Sequence, residues 1–446
     1  MRNPFADSSH TTKNMNRDQI LESVKSFIDQ QNTEFKPGET YIRSSGAVWE
    51  SDDVASLVNV ALDRWYTEGK YAHEFERHFA NAVKQRYVTL CNSGSSANLL
   101  AISALTSKSL KNRALKKGDE VIAVAAGFPT TVNPILQNGL VPVFVDVSLP
   151  TYNALPHAIS EAVTDKTKAI FIAHTLGNPY HALEIRELAD QNDLWVIADC
   201  CDALGSEYRG QPLPHYADIS TYSFYPAHHI SMGEGGAVTT NDSLLNKIIR
   251  SFRDWGRDCW CEPGKDNTCG KRFGWKLGKL PESFDHKYIY SHIGYNLKAT
   301  DLQAALGITQ IKKLPRFVEE RRQNWQYYRD ELDEFRKYLI LPEHTAYSNP
   351  SWFGFTISIK ENAPFTRSKF VSFLEHNKIG TRMLFAGNLT KHPAYKEVKY
   401  KVSETLTKTD FIMENTFWIG VAPIITRPMQ KYVVKKFREF MRTNEN

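Results

Sequence analysis

Ser223-Phe224-Tyr225-Pro226-Ala227-His228-His229-Ile230-Ser231-Met232-Gly233-Glu234-Gly235-Gly236-Ala237-Val238 holds two apolar runs parted by a proline, two adjacent histidines and a Gly-Glu-Gly-Gly turn. The runs at 219–224 and 236–239 have strand composition, and proline and glycine punctuate what joins them. Outward from here similar runs recur at 87–90, 120–124, 141–145, 169–173 and 194–198, alternating with helix-length stretches. Several are apolar throughout, as expected of strands buried on both faces of a parallel sheet. The expectation is an open α/β domain with a mostly parallel sheet.

Apolar residues at helical spacing occupy 18–31, 52–67 and 72–84, before the first strand. Residues 254–292 break the alternation; rich in Gly, Lys, Cys and aromatic residues, they read as a long functional loop. A helical stretch is expected from 300 to 338, broken or kinked near Pro315. Beyond about 340 there is enough chain for a smaller α+β domain. The expected division is an N-terminal arm and helix at 1–52, a large domain at 53–305 and a small C-terminal domain at 306–446.

The chain has 446 residues, 41% hydrophobic and 24% charged, with a formal net charge of +5 and basic and acidic residues mixed throughout. That composition suits a soluble globular protein, and the slight excess argues weakly for an anionic small ligand. No basic tract suggests nucleic acid, and no run of about 18 apolar residues suggests a membrane span. The polar stretch 1–40 lacks the apolar core of a signal peptide, so a cytoplasmic protein is expected. In that compartment six cysteines are unlikely to form disulfides, and their clustering points to metal or redox chemistry.

Three groups of residues have chemical potential on their own terms. Asn92-Ser93-Gly94-Ser95-Ser96 joins a strand to a helix, so the amides of Ser95 and Ser96 would greet a phosphate, or Ser93 simply caps the helix. Asp199 follows the strand at 194–198, at the sheet edge where open α/β sheets bind ligands. There it can pair with a protonated pyridine nitrogen or serve as a loop cap. Cys201, Cys259, Cys261 and Cys269 are enough thiolates for a 2Fe–2S cluster. Structural zinc is the competing use, although it more often takes cysteine pairs two to four residues apart. Cys91 and Cys200 read as small buried residues.

The segment 223–238 resembles the active-site signature of the DegT/DnrJ/EryC sugar aminotransferases, which have the type I pyridoxal-phosphate (aspartate aminotransferase) fold. In that family a lysine follows the aromatic-Pro-x triplet and precedes the Gly-Glu-Gly-Gly turn; here the position is His228. The resemblance extends through Ser93-Gly94-Ser95 and Gly127-Phe128, through His174 to Pro179, and through Gly294-Tyr295-Asn296. It implies a phosphate held by Gly94, Ser95, Ser96 and Ser223, a ring stacked under Phe128, and Asp199 and Asp202 in the cofactor site. It also implies that Asn296 reaches the phosphate of the neighbouring subunit in a homodimer.

A lysine holds pyridoxal phosphate covalently; imidazole forms no such stable imine, but moves protons well near neutral pH. With His228 there, the resemblance implies the amine form, pyridoxamine phosphate, bound noncovalently. The cysteine spacing is similar to that of one subgroup, the 3-dehydrases of CDP-4-keto-6-deoxy-D-glucose in dideoxysugar biosynthesis. The implied activity is loss of the sugar's 3-hydroxyl, with His228 as base. Reduction would follow through a 2Fe–2S cluster fed by a flavin/iron–sulfur, NADH-dependent reductase. The Lys-rich stretch 265–279 is the expected docking surface, and Arg43 and Arg382 are candidates for the substrate diphosphate. An ordinary nucleotide-sugar aminotransferase is the alternative.

Overall fold

The apolar runs pair edge to edge into one eight-stranded sheet, seen in a computed structural model that describes residues 15–31, 34–261, 264–268 and 270–444. Numbered along the chain, its strands are β1 Tyr87–Cys91, β2 Glu120–Val124, β3 Val141–Val145, β4 Thr167–Ala173, β5 Trp195–Asp199, β6 Ile219–Ser223, β7 Gly236–Thr240 and β8 Lys401–Val402. Their spatial order is β1-β7-β6-β5-β4-β2-β3-β8. From β6 to β8 every pairing is parallel, whereas β7 runs antiparallel to both β6 and β1. The reversal has a local cause: the connection 224–235 contains no crossover helix, so β7 must return beside β6 in the opposite sense.

Side chains alternate across this sheet with a period of two. Ile122, Val143, Ile170 and Val196 pack on one face, and Val121, Phe144, Phe171 and Ile197 on the other. Both faces are covered by helices, which is why β2, β3 and β5 are buried at every residue. The expected mostly parallel α/β architecture is present.

A second, four-stranded antiparallel sheet orders Leu339–Ile340, Gly354–Ile359, Thr416–Gly420 and Thr381–Met383 side by side. Helices Arg367–His376 and Arg427–Asn444 pack on it through Phe355, Ile357, Phe370 and Phe437, forming the smaller α+β unit. β8 leaves this part of the chain to extend the large sheet.

The expected break at Pro315 is corrected. The helix Asp301–Glu331 runs through Pro315 without interruption, opened by a capping box between Thr300 and Gln303. The missing amide of Pro315 removes one helical hydrogen bond, but Leu314, Phe317 and Val318 are buried around it and hold the turn in place. The helix ends at Glu331, and a short 3-10 turn, Asp333–Phe335, follows. This long helix packs against both the large-sheet helix Lys70–Val83 and the C-terminal helix Arg427–Asn444. Among the described residues of 254–292 there are only turns, the isolated bridges Asp254–Asn296 and Arg257–Tyr290, and the 3-10 turn His286–Tyr288, as a loop requires. No described helix is long and apolar enough to cross a membrane.

Candidate active site

The polar residues gather where β1, β5 and β6 end. Ser93 caps the helix Gly94–Leu105, its Oγ accepting from the Ser96 amide at 3.1 Å. The Gly94 and Ser95 amides belong to the first turn and have no acceptor within the helix. A Cβ on Gly94 would stand 2.4 Å from the Ser223 Cβ, and one on Gly236 2.3 Å from the Ser93 carbonyl oxygen. The cradle therefore closes tightly on Ser223. Capping by Ser93 and an open anion site at the next amides are compatible.

Asp199 is nearly buried at the last position of β5. Its Oδ2 accepts from Thr131 Oγ1 at 2.7 Å and Asn98 Nδ2 at 2.9 Å, and its Oδ1 from the Cys201 amide at 3.1 Å. Thr221 Oγ1 donates to Asn98 Oδ1 at 2.6 Å, which fixes the orientation of the amide. Two of these donors reach Oδ2 and one reaches Oδ1, so both oxygens are held in place. Asn98, Thr131 and Thr221 escape a sequence reading, because only the fold brings them to Asp199. The signal available was an asparagine on the otherwise apolar, buried face of a helix. Phe128, half-exposed, precedes the helix Pro129–Gln137 that carries Thr131, and meets Phe385 edge-on at 6.2 Å.

The two adjacent histidines separate cleanly. His229 is buried, with Nε2 2.8 Å from the Ser351 carbonyl oxygen. A carbonyl only accepts, so Nε2 is assigned the proton. Burial, aided by the cation of Arg321, pushes its titration well below the ordinary range. His229 is thus a neutral structural side chain. His228 sits in a turn closed by its amide on the Tyr225 carbonyl at 2.9 Å. Its Nδ1 lies 3.3 Å from Asp202 Oδ1, close enough to pair but without the alignment of a good hydrogen bond. Burial raises the Asp202 carboxyl, opposed by its contact with His228. The ring of Phe353 stands 5.3 Å from that of His228.

His174, at the end of β4, is buried, stacks on Tyr180 at 3.9 Å, and accepts from the Tyr180 amide at Nδ1. Burial pushes it down to about 3, so it is neutral, with Nε2 lacking a partner among the described residues. Asn296 is exposed, with Oδ1 taken by Lys298 at 2.8 Å, and no described bond joins it to Ser93, Ser95 or Ser223 of its own chain. Arg43 and Arg382 are exposed on segments tied by the Ile42–Ile379 bridge.

The cysteines are not gathered by the described residues of one chain. Cys91 and Cys200 are fully buried in the two cores. Cys259 and Cys261 line one small pocket with Asp266, Asn267, Arg272, His286 and Lys287. Cys201, beside Asp199 and Asp202, is not part of it, and Cys269 lies outside the described residues. Among the described residues no group of three or more His, Cys, Asp or Glu could hold a metal ion.

The profile of the DegT/DnrJ/EryC1/StrS aminotransferase family matches residues 49–438. The lipopolysaccharide biosynthesis protein RfbH of Salmonella typhimurium is 53% identical, over 97% of this chain and 100% of that protein. A dTDP-4-dehydro-2,6-dideoxy-D-glucose 3-dehydratase of Saccharopolyspora spinosa is also 53% identical, over 95% of this chain and 92% of its own. Among solved structures, an E. coli GDP-4-keto-6-deoxy-D-mannose 3-dehydratase with bound hydrated PLP matches with a TM-score of 0.80 at 29% identity, over 89% of this chain and 100% of that one.

Proposed function

The chain belongs to the DegT/DnrJ/EryC1/StrS aminotransferase family, and from that premise we propose that it dehydrates a nucleotide sugar instead of transferring an amine. Its substrate is CDP-4-keto-6-deoxy-D-glucose, which loses its 3-hydroxyl on the way to a 3,6-dideoxyhexose of lipopolysaccharide O-antigen. The observation that carries this reading is an imidazole, His228, at the position of the cofactor-holding lysine, backed by Asp202 at 3.3 Å.

The site suits pyridoxamine 5′-phosphate. The open amides after Ser93, with Ser95, Ser96 and Ser223, would hold its phosphate, and added bulk at Gly94 or Gly236 would close that space. Asp199, steadied by Asn98 and Thr131, would meet the ring nitrogen and keep it protonated. Phe128 would cover the ring, and Asn296 would reach the phosphate from the second subunit of a homodimer. Apolar side chains left exposed at the loop root, among them Trp255, Trp260, Tyr290 and Ile293, support that dimer. Bound there, the cofactor supplies an amine for the sugar ketone and a conjugated ring that takes up electrons. His228 would be the residue that carries the proton displaced when the sugar's 3-hydroxyl leaves. With Nδ1 turned to Asp202, Nε2 is the atom that receives the proton, and the carboxylate steadies the imidazolium.

The reading includes a 2Fe–2S cluster on Cys201, Cys259, Cys261 and Cys269, serving a flavin/iron–sulfur reductase. It is supported by the cysteine spacing and by the shared pocket of Cys259 and Cys261. The same reading takes 53–305 as the cofactor-binding domain, flanked by 1–52 and 306–446, in a cytoplasmic protein. The test is incubation of the chain, pyridoxamine phosphate and a reductant with the CDP, dTDP and GDP forms of the 4-keto-6-deoxy sugar. Expected is loss of the 3-hydroxyl, fastest with the CDP form, from protein containing two irons per chain. Glutamate-dependent appearance of a 4-amino sugar would establish the aminotransferase instead.

A further inference from the structure

A cation lies buried directly behind His228. Arg321, on the helix Asp301–Glu331, is among the largest fully buried side chains of the molecule. Its described hydrogen bonds go to two main-chain carbonyls, Nη1 to Trp352 at 3.1 Å and Nη2 to His228 at 3.2 Å. Nε has no partner among the described residues, and Asp202 acts on the guanidinium only through space. Taking a guanidinium out of water is costly, and an apolar side chain could fill the same space. Arg321 does something an apolar residue cannot: it joins the turn that presents His228 to the segment that presents Phe353.

That segment, 349–353, is secured at other points as well. His229 Nε2 meets the Ser351 carbonyl, the Phe353 amide donates to the Leu176 carbonyl at 2.9 Å, and Arg322 Nε donates to the Pro350 carbonyl at 2.9 Å. Arg321 and Arg322 therefore grip the same segment, but only Arg321 also grips the His228 peptide. We propose that Arg321 is the positioning residue of His228, fixing through the His228 and Trp352 carbonyls the direction of the imidazole and its spacing to Phe353. The inference rests on His228 being the proton carrier.

The test compares Arg321→Met, Arg321→Lys and Arg322→Met in the full-length, cofactor-loaded protein. A displacement of about 1 Å costs about 100-fold in rate, so Arg321→Met is expected to lower kcat by about that factor while KM moves less than about threefold. Arg321→Lys keeps a donor for one carbonyl and regains about tenfold of the loss, and Arg322→Met keeps kcat within about twofold. In protein without cofactor, hydrogen exchange in Arg321→Met is expected to rise together at 226–230 and 350–354 and nowhere else. Equal kcat losses in Arg321→Met and Arg322→Met overturn the proposal, as does faster exchange throughout with kcat per folded molecule intact. If Arg321→Met does not fold, Arg321→Lys against Arg322→Met carries the same comparison. A wild-type protein that dehydrates nothing removes the reading of His228, and the exchange pattern still decides whether Arg321 holds its turn.

Discussion

The site at the ends of β5 and β6 and the loop 254–292 are both polar, yet they are held in opposite ways. Around Asp199 the partners come from far along the chain: Asn98 from one helix, Thr131 from another and Thr221 from β6. In the loop most described partners come from within 254–292, although His292 Nε2 also lies 2.7 Å from Ser107 Oγ. Trp275 stacks on His286 at 4.4 Å, Trp260 meets both edge-on, and His286 Nε2 pairs with Asp258 at 2.7 Å. The first geometry is inherited from the sheet and stays preorganised. The described part of the second is shaped largely by its own side chains.

The largest effect belongs to the sheet-held site. Replacing His228 by Asn removes the proton acceptor and keeps the bulk, so kcat should fall about 10²- to 10⁴-fold. Pyridoxamine phosphate affinity, read from absorbance, should hardly move. Activity close to wild type would break the assignment.

A smaller effect probes how dry that region is. Burial holds His174 near 3, against an ordinary value of 6.5. Between those values the unfolded chain binds a proton that the folded chain refuses, so this contribution is present above pH 6.5 and is lost as pH falls toward 3. At about 1.4 kcal/mol per pH unit, wild type should lose about 2 kcal/mol more than His174→Phe on going from pH 7 to pH 5. Denaturant melts at the two pH values measure the difference; identical losses would mean that water reaches His174 in the folded state.

The smallest concerns the loop. Trp275→Ala removes a ring pair of about 0.5–1.5 kcal/mol. It should speed hydrogen exchange in the described residues of 264–290 while cofactor affinity stays within about twofold, the change expected of a loop shaped largely by its own side chains. A parallel fall in cofactor affinity would show the two regions to be coupled.

The same contrast explains what was legible in the sequence. Buried strands announce themselves by unbroken apolar runs, and Asp199 and His228 by their place at strand ends and in a motif. Asn98, Thr131 and Arg321 could not be read this way, because each gains its role from a partner between 68 and 101 residues away in the case of the Asp199 donors, and 93 away for Arg321 and His228. The reversed β7 was latent in the absence of a helix between it and β6. Pro315 does not end the helix, because packing along both of its neighbours outweighs the lost hydrogen bond and the ring's crowding. Loop residues such as Cys259 and Cys261 were easy to mark and hard to place, since no periodicity says where a loop points.

One measurement bears most directly on the central claim that an imidazole replaces the anchoring lysine. Protein loaded with pyridoxal phosphate, treated with borohydride and denatured, should give a chain of unmodified mass with the cofactor released. A chain carrying a reduced, covalently attached cofactor would contradict the account.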